Sequence, residues 1–99
     1  MAARDNDTKI SITPAQARAA RALIGWSQDE LVEFSGIPKS TIVRFEASIG
    51  TPRHSTIAAI QAALEAAGVE FILENGGGAG VRLKKEAPPD SGIAIAKVV

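Results

Sequence analysis

The chain has 99 residues, no cysteine, and 11 basic against 11 acidic residues, so its formal net charge is zero. A chain of this length is expected to form one small domain with a modest core. The lack of cysteine excludes disulfides, thiolate metal sites and a cysteine nucleophile. We expect no signal peptide, because no apolar region follows the polar start MAARDNDTK. No apolar run is long enough to span a bilayer. We therefore expect a cytoplasmic protein without membrane contact.

The first helix is predicted from a start signal and a stop signal. Residues 1–13 are expected to form a flexible arm that ends in an extended piece. Thr13 is a good N-cap, and Pro14 suits the first helical position. Strong helix formers follow as far as Gly25. Helix 1 is therefore predicted over about 14–24.

A broken helix comes next. Ser27 and Glu30 have the spacing of a capping box, which predicts the start of helix 2. Gly36 can take the positive φ that ends this helix, and Pro38 can open another. The pattern resumes in helix 3, over about 38–47, where apolar residues three apart share one face. Two helices joined by a tight turn containing glycine predict a helix-turn-helix.

The rest of the chain predicts one more helix and a hairpin. Ser55 or Thr56 is expected to cap helix 4, which carries a single apolar stripe and ends at Gly68. Two β-prone segments on either side of a glycine-rich loop predict a hairpin over 69–84. Residues 85–99 are interpreted as a linker followed by a third strand or a loose tail. The predicted fold is mainly α, with four to five helices and a C-terminal β-hairpin.

One stretch carries a family resemblance. Residues 27–64, SQDELVEFSGIPKSTIVRFEASIGTPRHSTIAAIQAAL, resemble the Cro/CI-type helix-turn-helix family of phage and bacterial repressors, often called Xre-like. The shared pattern includes the initial Ser-Gln, the glycine with an aliphatic residue after it, Thr-Ile, and the later Glu and Pro. The resemblance covers residues 14–68, which we assign as the DNA-binding domain. Two positions depart from it: Val32 replaces the usual Ala, and Ala47-Ser48 replaces Asn-Gly or Gly.

The sequence and the resemblance together predict a set of DNA-binding residues. Side chains in the exposed N-terminal half of helix 3 are expected to reach base edges in the major groove. The resemblance implies that Gln28, at the start of helix 2, contacts the DNA backbone and base edges. It implies that Thr41 binds a phosphate or supports helix 3. Arg53 and His54, before helix 4, are expected to bind phosphate as well. The alternative is an ordinary solvated polar face. The full set is Gln28, Lys39, Ser40, Thr41, Arg44, Arg53 and His54.

Three further interpretations concern the surroundings of that set. The resemblance implies a structural ion pair between Arg21 and Glu46, which would hold helix 3 against helix 1. Trp26 is expected to cover an edge of the core rather than stack on a base. The acidic residues of helix 2 are expected to point away from DNA, so that the neutral net charge does not prevent binding.

The hairpin is the predicted dimerisation element. Apolar residues alternate with charged ones along both strands, so one face requires burial. Joining two hairpins across a two-fold axis would bury that face and satisfy the strand edges. The alternative is a hairpin folded onto its own helix 4. The residues assigned to the dimer contact are Val69, Phe71, Leu73, Val81 and Leu83.

The expected function is sequence-specific binding of double-stranded DNA by a homodimeric transcriptional regulator, such as a repressor. The sequence shows no nucleophile–base pair and no cluster of metal-ligating residues, so neither catalysis nor a cofactor is expected. The glycine cluster of the hairpin loop lacks the following helix that a phosphate-binding loop requires. Two alternatives remain open. One is the DNA-binding antitoxin of a toxin–antitoxin pair, and the other is a helix-turn-helix scaffold used only for protein contacts.

Overall fold

The computed structural model describes residues 11–85, and the predictions for the arm before residue 11 and for the tail after residue 85 lie outside this range. The described part confirms the predicted mainly α fold with a hairpin after the helices. Among these residues no helix is long and apolar enough to cross a membrane. The elements are α1 (Pro14–Ile24), α2 (Gln28–Ser35), α3 (Lys39–Glu46), α4 (His54–Ala66), β1 (Val69–Ile72) and β2 (Gly80–Leu83).

The starts of α1 and α2 are both closed by capping boxes. At α1 the Thr13 hydroxyl accepts a hydrogen bond from the Gln16 N–H at 3.0 Å, and the Gln16 side chain accepts one from the Thr13 N–H at 2.9 Å. At α2 the same exchange joins Ser27 and Glu30, at 3.1 and 2.8 Å. Each box satisfies two backbone groups that would otherwise lack a partner.

The turn between α2 and α3 is made as the sequence predicts. Gly36 adopts the left-handed conformation with φ 76°, and its N–H donates to the Val32 carbonyl at 2.9 Å. Pro38 stands at the N-cap of α3, where its missing N–H costs nothing. Ile37 is half-buried against the core, so the turn is fixed by packing as well as by backbone conformation.

The start of α4 differs from the prediction. Neither Ser55 nor Thr56 is the cap: the helix begins at His54, and the N-cap is Arg53. The Arg53 carbonyl accepts hydrogen bonds from the N–H groups of Thr56 and Ile57, at 3.0 and 3.2 Å. The extended backbone of Arg53 therefore starts the helix earlier, and both predicted caps lie inside its first turn.

The hairpin packs on its own domain. Val69 is fully buried and Phe71 is 8% exposed, and both belong to the same core cluster as the helices. The Gln16 amide anchors β2 to α1 by donating to the Gly80 carbonyl at 2.9 Å. Val81 is half-buried against the same core. Three of the five residues assigned to a dimer contact, Val69, Phe71 and Val81, therefore pack against the core of their own chain.

The remaining two assigned dimer residues lie at the surface. Leu73 is 54% exposed and Leu83 is 52% exposed. At the other end of the described chain, Ile12 is 3% exposed, and it joins the core cluster. The last residues of the predicted flexible arm, Ile12 and the capping Thr13, thus belong to the folded unit.

Candidate nucleic-acid interface

Helix α3 separates into an inner and an outer face. Ile42, Phe45 and Glu46 are buried, which fixes the inner face against the rest of the domain. The outer face consists of the exposed residues Lys39, Ser40, Val43 and Arg44, with Thr41 half-buried at its margin. The helix therefore presents polar and basic side chains outward in the arrangement that major-groove reading requires.

A bidentate ion pair holds α3 against α1. The Arg21 Nε lies 2.8 Å from Glu46 Oε2, and the Arg21 Nη2 lies 2.7 Å from Glu46 Oε1. The Arg21 Nη1 also donates to the Trp26 carbonyl at 3.0 Å. This is the ion pair that the resemblance implies, and its Glu46 side chain is only 4% exposed. Paired forks of this kind are the strong form of a charged hydrogen bond.

The ion pair decides the protonation of its acid. Burial by itself raises the pKa of Glu46, but the hydrogen bonds from Arg21 and Gln28 outweigh it, so the net pKa lies below the usual range. The same pairing raises the pKa of Arg21 despite partial burial. Both groups therefore stay charged near neutral pH, which keeps the position of α3 fixed.

Gln28 belongs to this network in the described structure. Its Nε2 donates to Glu46 Oε1 at 3.0 Å, and the side chain is half-buried. Gln28 is the first residue of α2, and this contact joins it to the inner face of α3 at the last residue of that helix. The role of the Gln28 amide that the geometry shows is orientation of Glu46.

Lys39 has a partner that was not expected. Its Nζ lies 2.9 Å from Asp29 Oδ1, and both side chains are largely exposed, at 54% and 75%. Asp29 therefore lies beside the outer face of α3, contrary to the expectation that the acids of α2 point away from it. The turn between α2 and α3 brings the first turns of the two helices together, which the sequence alone does not indicate.

Arg44 lies across the loop between α3 and α4. A Cβ atom on Gly50 would come within 2.9 Å of the Arg44 Nη2, and Gly50 has a φ of 74°. The Arg44 carbonyl also accepts from the Ile49 N–H at 2.8 Å. Ser48, in the same loop, adopts a left-handed φ of 62°. Residues other than glycine rarely take this conformation.

The starts of α3 and α4 have no side-chain cap. Neither helix has an acidic residue in its first turn, while Lys39 opens α3 and the exposed Arg53 and His54 open α4. Free N–H groups at a helix start, with the positive end of the helix dipole, favour an anion. The predicted phosphate-binding residues therefore stand at a helix end suited to a phosphate.

Comparison with known families decides what this geometry belongs to. A family model described as helix-turn-helix matches residues 18–71, which is more than half of the chain. The chain belongs to the Xre/Cro/CI-type helix-turn-helix family. Its members bind DNA, so the protein is a DNA-binding helix-turn-helix regulator. A search of curated proteins gave no significant match.

Besides the Asp29–Lys39 and Gln28–Glu46 contacts, two features of this helix-turn-helix protein were missed by sequence reasoning. Trp26 does lie against the core edge, but its ring also stacks on Phe34, with centroids 4.7 Å apart and planes 14° apart. The spacing of eight residues across a helix start gave no periodic signal for this contact. The second feature is that the Arg44 side chain occupies the space that a Cβ atom at position 50 would need, which only the loop geometry shows.

Proposed function

We propose that the protein binds one specific double-stranded DNA sequence as a homodimer, with α3 in the major groove. The observation that carries the proposal is the two-sided character of α3. Its inner face is held by buried side chains and by the Arg21–Glu46 pair, and its outer face offers Lys39, Ser40 and Arg44. A rigid helix with exposed donors is what discrimination between base edges requires.

The exposed residues have different proposed roles. Lys39 and Arg44 carry the donors that suit the O6 and N7 atoms of guanine, and the Ser40 hydroxyl can serve either strand. Thr41 is half-buried beside them, so it supports the helix or reaches a phosphate. Arg53 and His54, together with the free N–H groups of α4, bind backbone phosphate, which fixes the register but carries no sequence information.

The homodimer proposal rests on geometry and on what remains exposed in the hairpin. A single module covers only about 600–1,000 Å² of DNA interface, and paired reading helices about 34 Å apart gain a second half-site. The two strands form a two-stranded sheet, so each strand has an edge without a partner strand among the described residues, and Leu73 directly after β1 and Leu83 at the end of β2 are exposed. We propose that these two leucines and a strand edge form the dimer contact, without Val69, Phe71 and Val81.

The DNA proposal is tested by selecting duplexes from a random library at a fixed salt concentration. We expect enrichment of a symmetric motif whose half-sites are centred about one turn, 10–10.5 base pairs, apart. Recovery of no preferred sequence would contradict the proposal and favour the scaffold alternative. The antitoxin alternative shares this DNA interface and stays a prediction, because no described feature distinguishes a toxin-binding surface.

The dimer proposal is tested on the full chain by light scattering. Removal of everything after Gly68 is unsuitable, since it would take Val69 and Phe71 out of the core. We expect the double variant Leu73→Lys/Leu83→Lys to be monomeric, because charges at a buried contact are strongly unfavourable. Leu23→Lys, at another exposed leucine, is the control and should stay dimeric. Dimers of unchanged affinity in both variants would exclude the hairpin contact.

A further inference from the structure

The stacked rings of Trp26 and Phe34 border an apolar groove that the DNA-binding face does not use. Its other lining residues are Ala63, Ala66 and Ala67, near the end of α4, and its volume is about 200 Å³. We name it the Trp26 groove. A cavity of about 150 Å³ holds a benzene molecule, so this groove has room for aliphatic side chains. Phe34 is nevertheless 59% exposed, which leaves a large aromatic surface uncovered.

The described chain ends beside this groove. The Lys84 N–H donates to the Gly68 carbonyl at 2.8 Å, and Gly68 directly follows Ala67 of the groove. The sequence continues through a connector, residues 86–92, to the segment IAIAKVV, residues 93–99, whose only charged residue is Lys97. Seven extended residues reach about 23 Å. The apolar segment can therefore reach the groove from the strand that ends next to it.

We propose that residues 93–99 bind in the Trp26 groove of their own chain. The segment is apolar, the groove lining has no charged side chain, and the connection point is adjacent. A short tether raises the effective concentration of the segment near the groove to about the millimolar range. The same segment of a second chain in dilute solution is far less concentrated and cannot compete with it. In an extended segment alternate residues share a face, so Ile93 and Ile95 enter the groove together.

Fluorescence of Trp26, the only tryptophan, tests the proposal in the full chain. In Ile93→Asp/Ile95→Asp the acrylamide quenching constant should rise about twofold or more, because the population shifts to an uncovered ring. The control Ala87→Asp/Ser91→Asp adds the same two charges in the connector and should quench like the native chain. Quenching that is equal in all three proteins overturns the proposal. Circular dichroism checks that the variants keep their helices.

A disulfide test decides whose segment occupies the groove. The chain has no cysteine, so only introduced pairs can form a bond. Ala66→Cys with Ile95→Cys should oxidise within one chain and run as a cross-linked monomer, since a disulfide needs Cα atoms within about 7 Å. Ser40→Cys with Ile95→Cys, on the outer face of α3, is the control and should stay reduced. A cross-linked dimer alone, or no cross-link in the groove pair, overturns the proposal.

Discussion

The four helix starts within residues 11–85 fall into two kinds. The starts of α1 and α2 are closed by reciprocal hydrogen bonds between a hydroxyl residue and the third helical residue. The starts of α3 and α4 have no side-chain cap and carry basic residues. At the first kind, side chains of the protein accept hydrogen bonds from N–H groups of the helix start. At the second kind no side chain does so, and these N–H groups are available to another molecule. The difference separates the part that builds the fold from the part that we propose binds DNA.

Charge follows the same division. Asp29 and Glu30 lie in the first turn of α2, where acids stabilise the positive end of the helix dipole. Lys39 is the first residue of α3 and Arg53 is the N-cap of α4, where a positive charge is unfavourable. Residues that oppose local stability are expected at functional sites. Substitutions in the two groups should therefore separate stability from DNA binding.

The largest expected effect is on stability, through the Arg21–Glu46 pair. Glu46→Ala leaves the half-buried Arg21 uncompensated, so the free energy of unfolding should fall by about 3–5 kcal/mol. Arg21→Ala should act in the same direction. The preferred DNA sequence should not change in either variant that still folds. Urea denaturation measures the loss, and Glu70→Ala is the control, since its ion pair with Arg82 is exposed. A loss no larger than in that control contradicts the structural role.

The same pair predicts an acid limb in the stability profile. The pKa of Glu46 is lowered in the folded state, so the unfolded protein takes up the proton first. Its contribution is complete above the unfolded value of about 4.3, and it is lost as the pH falls through the lower folded value. The stability difference between the native chain and Glu46→Gln should be constant near neutral pH and shrink below about pH 4. An unchanged difference down to acid pH would show that ionisation of Glu46 is not what matters.

The second largest effect is on DNA binding by the outer face of α3, from Lys39 in its first turn to Arg44 in its last turn, and by the start of α4. Lys39→Ala and Arg44→Ala should each cost about 1–3 kcal/mol on the preferred sequence and relax the base preference there. Arg53→Ala should instead weaken all sequences evenly and reduce the salt slope by about one unit. Unfolding free energies should be nearly unchanged in all three variants. If Lys39→Ala and Arg44→Ala bind a site library like the native protein, α3 does not read the groove.

A smaller effect on stability distinguishes a real cap from an apparent one. Ser27→Ala removes the oxygen that accepts from the Glu30 N–H, and about 1 kcal/mol of stability should be lost. Ser55 also looks like a cap in the sequence but lies exposed inside the first turn of α4. Ser55→Ala should therefore change stability by less than about 0.5 kcal/mol. Equal losses in thermal unfolding of the two variants would contradict the assignment of α4.

Sequence reasoning succeeded where a few adjacent residues decide the structure. The start of α2, the Gly36 turn and the opening of α3 depend on local backbone preferences, so they were predictable. It failed where the outcome depends on distant contacts. Val69 and Phe71 show the alternation of any half-buried strand, which cannot reveal whether the covering surface belongs to the same chain. The start of α4 was misplaced because Arg53 begins the helix by backbone conformation, without a capping side chain.

The candidate site was predicted only in part for a related reason. A helical period tells which side chains face outward, so the exposed residues of α3 could be found. It does not tell what a neighbouring helix brings to them. Asp29 near Lys39 and Gln28 on Glu46 both depend on how α2 crosses α3. The resemblance supplied the Arg21–Glu46 pair, which no local pattern predicts.

The smallest expected effect concerns Asp29, an acid beside the outer face of α3. The Asp29–Lys39 pair is exposed on both sides, so Asp29→Asn should change stability by less than about 0.5 kcal/mol. DNA affinity should rise about two- to fivefold, because Lys39 no longer exchanges a protein partner for DNA. Glu33→Gln makes the same charge change elsewhere on α2, and it should have a smaller effect on affinity.

The decisive measurement combines Asp29→Asn with Lys39→Ala. If Asp29 acts by holding Lys39, its removal should bring no gain in affinity once the lysine is absent, so the two changes are not additive. If Asp29 acts only by repelling phosphates, the gain should persist in the double variant and fall with added salt. Additive effects at all salt concentrations would show that the contact between α2 and α3 seen in the free protein has no bearing on recognition. A non-additive result would show that Asp29, at the capped start of α2, lowers DNA affinity by holding Lys39 at the uncapped start of α3.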